Sequence, residues 1–88
     1  MGLTRKVTVV NELGLHARSA VKLAGIAKAA RGGVWVLSAA ERADATSVME
    51  VLTLACEKGT TLTLAVDDPK DAPVLDALVG LVERGFEE

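Results

Sequence analysis

Tyrosine is absent, and tryptophan, phenylalanine, histidine and cysteine occur once each. With Trp35 and Phe86 as the only aromatic residues, base-stacking platforms for nucleic acid are excluded. A formal net charge of −2 gives no cationic footprint for a phosphate backbone. The single cysteine, Cys56, rules out a disulfide framework within one chain and reads as a small buried hydrophobe. One histidine and one cysteine make a transition-metal centre implausible, and no cofactor is expected. No apolar run has the length of a membrane span, and no signal-peptide pattern opens the chain. Met1-Gly2-Leu3-Thr4-Arg5-Lys6 begins like a myristoylation site but lacks Ser or Thr at position 6. These absences lead us to expect a cytoplasmic protein. The 88 residues suffice for one domain, spanning residues 1–88, with one core.

Periodicity orders the elements. Thr4 to Val10 alternates, with Val7 and Val9 on one face and Lys6 and Thr8 on the other, as in a half-buried strand. Asn11-Glu12-Leu13-Gly14 reads as a turn. A helix is predicted from about Ala17 to Ala30, with Ala20, Leu23, Ala24 and Ala27 on one side, widened by Val21 and Ile26, and Gly32-Gly33 ending it. Lys22, Lys28 and Arg31 are assigned to its exposed face or C-terminal end. Val34 to Leu37 reads as a second strand, which turns near Ala40-Glu41 into a weaker third, Arg42 to Ala45. Ser47 to Glu57 is predicted as a helix whose Ser47-Val48-Met49-Glu50 start fits a reciprocal capping box. Thr61 to Val66 alternates as a fourth strand. Asp67-Asp68-Pro69 breaks it, and Asp71 is the expected N-cap of a last helix striped by Val74, Leu75, Leu78, Val79 and Val82. Gly85-Phe86 reads as a Schellman-type end with an apolar clasp. The order β-α-β-β-α-β-α, with one-sided strands and amphipathic helices, predicts an α+β fold: a four-stranded antiparallel sheet with three helices on one face.

The chemistry concentrates at Gly14-Leu15-His16-Ala17-Arg18-Ser19-Ala20. His16 falls where strand gives way to helix, so its imidazole lies beside the unpartnered amides of a helix start. An anion there meets the N–H groups of Ala17, Arg18 and Ser19, with the Arg18 guanidinium alongside. The positive end of the dipole disfavours imidazolium and leaves a neutral, nucleophilic ring nitrogen. A site that accepts and passes on a phosphoryl group requires such an arrangement.

This stretch, followed by Ala45-Thr46-Ser47-Val48-Met49-Glu50-Val51-Leu52, resembles the HPr family of histidine-phosphorylated carriers of the bacterial phosphoenolpyruvate-dependent phosphotransferase system. The resemblance covers nearly the whole chain and implies an open-faced sandwich. It implies that His16 takes the phosphoryl group as the pros-phosphohistidine, through Nδ1, and that Arg18 helps neutralise it. The implied partners are enzyme I as donor and enzyme IIA-type proteins as acceptors in sugar uptake, met by a monomer that is not itself an enzyme. Apolar residues at the second helix start, Val48, Met49 and Leu52, match the family's docking patch, and Ala20 is assigned to it as well.

Three departures stand out. Ser19 replaces the usual proline, adding an N–H and a hydroxyl to the anion cradle while removing a fixed φ. Ser47 matches a serine that a regulatory kinase phosphorylates in some members. Thr46, however, stands in place of lysine, and the Glu50 carboxylate repels phosphate, so capping is the preferred role. Trp35 is read as packing across strands rather than anchoring a partner, and Asp67, Asp68 and Asp71 as turn and cap residues rather than a cation site. Two other readings stay open: a regulatory or nitrogen-type relay, and a ligand-binding regulatory module that is never phosphorylated.

Overall fold

Four segments pair antiparallel in the computed structural model, which describes residues 2–39 and 41–88. They are β1 (Leu3–Thr8), β2 (Val34–Ser38), β3 (Glu41–Asp44) and β4 (Thr61–Val66), in the spatial order β1-β4-β2-β3. The register sets Val7 opposite Leu62 and Val36 opposite both Leu64 and Ala43. Because side chains alternate, these residues share one face, and all of them are buried. Three helices cover that face: α1 (Ala17–Ala27), α2 (Val48–Thr53) and α3 (Ala72–Glu83). The expected architecture is the observed one. Of the turn expected at Ala40-Glu41, Ala40 lies outside the described residues, as does Met1.

The opposite face carries Trp35, half-buried on β2, whose Nε1 donates to Asp67 Oδ1 at 3.1 Å. The Arg42 guanidinium lies 4.4 Å from the Trp35 ring centre, so this residue packs across strands as its position suggested.

The helix ends differ from the sequence expectation. The helical span of α1 closes at Ala27, and the next amides bond back in tighter turns, Ala29 N–H to Ile26 O and Ala30 N–H to Ala27 O. Gly32 and Gly33 follow this turn, so they do not cap the helix directly. Val21, assigned to the apolar stripe, is 58% exposed, whereas Leu81 on α3 is buried. Helix α2 spans only Val48–Thr53, because Ala55 takes a left-handed φ of 50°. The capping box closes on one side: Ser47 Oγ accepts from Glu50 N–H at 3.2 Å, but the Glu50 carboxylate accepts from Asp44 N–H.

Asp71 sits at the N-cap of α3 without capping it through its side chain. Its carboxylate instead accepts from Arg31 N–H at 3.0 Å and Gly32 N–H at 2.9 Å, tying the α1–β2 connection to the start of α3. Asp68 does the local capping, accepting from Lys70 N–H at 2.9 Å in the 3-10 turn Pro69–Asp71. The two amides hold the Asp71 carboxyl below its usual range, backbone donation from Arg31 being the largest cause. A carboxyl depressed in the folded state stabilises above its unfolded pKa, and that contribution is lost as pH falls through the folded value. Asp71→Asn is therefore expected to lower the melting temperature at neutral pH. The gap from wild type should narrow in melts taken below the ordinary aspartate range.

Candidate functional site

A turn that admits only glycine precedes the histidine. Gly14 adopts φ 66°, and a Cβ there would lie 2.5 Å from Cys56 O. Leu15 N–H donates to that same carbonyl at 2.8 Å, which fixes the segment against the chain leaving α2. The backbone then becomes extended at His16, with φ −127° and ψ −177°, and His16 is the N-cap of α1.

Ser19 completes this corner from inside. It is fully buried, and its Oγ accepts from His16 N–H at 2.8 Å while donating to His16 O at 3.0 Å. The hydroxyl expected to join the anion cradle is therefore turned away from it, and Ser19 serves as the third-position partner of a capping box. Ser19→Ala is expected to cost about 1 kcal/mol by leaving His16 N–H without its acceptor, measurable by urea denaturation.

The imidazole, 28% exposed as a side chain, is held from the other end of the chain. Its Nε2 lies 2.6 Å from Glu88 Oε2 and is closed to solvent. The contact is close but lies off the axis of a well-directed hydrogen bond. Asn11 Nδ2 donates to Glu88 Oε1 at 2.9 Å and to Gly14 O at 2.8 Å, linking carboxylate and glycine turn through one amide. The imidazole close beside it is the chief cause that holds the Glu88 carboxyl below its usual range. Asn11 and Lys22 act in the same sense, and burial opposes them.

The backbone that delivers Glu88 is unusual. Gly85, Phe86 and Glu87 all take left-handed φ, at 63°, 57° and 63°. The glycine was expected; the two that follow cost about 1–3 kcal/mol each. Phe86 is fully buried in the core, which returns about 3 kcal/mol, and Lys22 Nζ donates to its carbonyl at 2.7 Å.

Arg18 is exposed on the first turn of α1, with no hydrogen bond or ion pair to its guanidinium among the described residues. Ala17 is exposed beside it. Of the assigned docking residues, Met49 is 74% exposed and Val48 and Leu52 are partly buried against the core. Ala20 is wholly buried where α1 meets the core, so its placement on a docking surface does not hold. Leu13, 72% exposed, is the apolar residue of the histidine loop that the periodicity left unassigned. Glu88 and Asn11 also went unassigned: Glu88 follows the last predicted element, and Asn11 reads locally as a turn residue.

An open-faced α/β sandwich with a histidine at the N-cap of its first helix defines a class of small carrier. Residues 3–84 match the family described as the PTS HPr component phosphorylation site. The chain is 38% identical over 86 residues to the phosphocarrier protein HPr of Cupriavidus necator, covering 98% of this chain and 97% of that one. It is equally identical, 38% over 86 residues, to the phosphocarrier protein NPr of Shewanella violacea, covering 98% and 94%. The crystal structure of HPr-C-His from Thermoanaerobacter tengcongensis superposes with a TM-score of 0.91 at 27% identity, covering 98% and 97%. The chain belongs to the HPr family of the phosphotransferase system.

Proposed function

We propose that this chain carries a phosphoryl group on His16 Nδ1, taking it from phosphorylated enzyme I and passing it to an enzyme IIA-type protein. The observation that carries this reading is the division of the imidazole. Nε2 is shut against Glu88, so Nδ1 is the nitrogen left to react, at the start of an eleven-residue helix. There the amides of Ala17 and Arg18 have no intrahelical acceptor and are suited to phosphoryl oxygens. Arg18 supplies a guanidinium not engaged elsewhere among the described residues, able to follow charge as it develops. Met49, with Leu52 and Val48 behind it, is the proposed docking patch; a flexible thioether suits successive partners. The chain acts as a cytoplasmic monomer, and Ser47 serves as a cap, since Glu50 on the same turn opposes a phosphate.

A second reading keeps the chemistry and changes the destination. The NPr relative is as similar as the first HPr relative, which favours a regulatory, nitrogen-type relay equally well. Family membership speaks against the non-phosphorylated ligand-binding module.

The test is intact mass after incubation with phosphoenolpyruvate, magnesium and enzyme I, before and after mild acid. One added phosphoryl group that acid removes supports the carrier. No added mass, with the enzyme I active on another HPr, rejects it. Competition between sugar-type and nitrogen-type IIA acceptors then decides the destination.

A further inference from the structure

Ser19 is a fully buried polar side chain whose every hydrogen bond goes to the corner that carries the histidine. Its Oγ accepts from His16 N–H at 2.8 Å, and its one hydroxyl hydrogen lies between His16 O at 3.0 Å and Gly14 O at 3.4 Å. Burying a hydroxyl costs free energy that its bonds must offset, and alanine would fill the third position of a helix without that cost. What the serine adds lies in the backbone of His16. As N-cap, His16 stands outside the helix at φ −127° and ψ −177°. Its carbonyl is held independently, since Ala20 N–H donates to it at 2.8 Å, and on the preceding side Leu15 N–H is tied to Cys56 O. The His16 N–H has Ser19 Oγ as its one acceptor among the described residues. Rotation about the His16 φ is therefore opposed by this hydroxyl, and that angle sets the direction in which the imidazole leaves the chain.

We propose that Ser19 is a positioning residue for phosphoryl transfer, whose hydroxyl grips the His16 backbone on both sides and so holds the imidazole in register with the free amides of Ala17 and Arg18. This rests on the carrier reading of His16. As the ring nitrogen forms its bond to phosphorus, the bond from phosphorus to the donor breaks and its electron pair leaves with the donor. Ser19 exchanges no proton in that step, and its hydroxyl, closed inside the fold, meets no phosphoryl oxygen. Its contribution is orientation, to which in-line displacement is sensitive at the scale of an ångström. A carrier needs the same geometry twice, once toward its donor and once toward its acceptor. A grip built into its own backbone serves both encounters, whereas one supplied by a partner serves a single encounter.

Orientation and recognition are separable here. Ser19 faces the interior, while Met49, the exposed residue of the proposed docking patch, lies on α2. Loss of the hydroxyl should therefore lower the rate of transfer within the complex and leave the affinity of the encounter as it was.

The experiment follows single-turnover transfer from phosphorylated enzyme I to wild type, Ser19→Ala and Ser19→Thr over a range of carrier concentrations. Ser19→Ala should lower the saturating rate about tenfold, the scale of one lost hydrogen bond, with the half-saturating concentration within about twofold of wild type. Ser19→Thr, which keeps the hydroxyl, should restore the rate. Asp71→Asn serves as the control for stability alone, because Asp71 ties down the chain beyond the far end of α1. It should transfer at the wild-type rate; an equal slowing there would make the Ser19 effect one of general stability and overturn the proposal. The three-bond coupling between the His16 amide and α protons, read by NMR without any phosphoryl donor, should be large in wild type, as an extended φ requires, and fall toward an averaged value in Ser19→Ala. An unchanged coupling or an unchanged saturating rate in Ser19→Ala would also overturn the proposal. If Ser19→Thr does not fold, the alanine variant decides alone. A wild-type chain that never accepts phosphate would sink the carrier reading, and the coupling would still decide whether Ser19 fixes the His16 backbone.

Discussion

His16→Ala is expected to lose all acid-labile phosphorylation and to keep the fold. The chain has no second imidazole to take over. The structural cost is small because the His16 ring makes no well-directed side-chain cap bond to α1, and the acceptor of its N–H, Ser19 Oγ, contacts backbone alone. What is lost is the contact with Glu88, at a partly exposed position. We expect about 1 kcal/mol, a fall in melting temperature of about 4–8 °C. Intact mass after incubation with phosphoenolpyruvate and enzyme I, paired with a thermal melt, checks both halves. Undiminished acid-labile phosphate would remove His16 from the site; a chain unfolded at room temperature would make it a structural residue instead.

Phe86→Ala should be the most damaging single substitution to stability. Phe86 heads the fully buried side chains by volume, and truncation leaves a cavity where α3 ends against the core. The loss is about 3–5 kcal/mol, a large share of the total stability of a domain this size. The backbone penalty at positions 86 and 87 stays while the burial that offset it goes, so the tail should detach and release Glu88. A melting temperature lowered by about 15 °C or more is expected. A small thermal shift would mean that the core closes over the gap.

The sequence carried the fold well because β1 and β4 alternate, β2 is a short run rich in β-branched residues and every helix carries an apolar stripe. Helix ends were less legible. Asp71 has the composition of an N-cap, yet its carboxylate goes to amides 39 and 40 residues away, a choice made by tertiary packing. The same holds for Glu50, drawn to Asp44 rather than to the cap it resembles. At the site, the local part was readable: His16 at a helix start, Gly14 in a tight turn, Arg18 one residue beyond Ala17. Ser19's inward hydroxyl and Glu88's approach were not, since both depend on where the chain returns in space. Ala20 shows the reverse error, a small residue assigned to a surface where close packing required it inside.

The strand order has a consequence for how the chain acquires its structure. β4 lies between β1 and β2, although it is the last strand in sequence. Until residues 61–66 are available, β1 has no neighbour, and the β2–β3 hairpin is a lone pair of strands with both edges open. Isolated hairpins are marginal in water. A nascent chain ending near residue 60 should therefore remain unstructured and vulnerable to proteases, with the sheet assembling in one late, cooperative step as β4 slots into place. Complementing fragments cut between α2 and β4 should be separately unfolded and regain structure only on mixing.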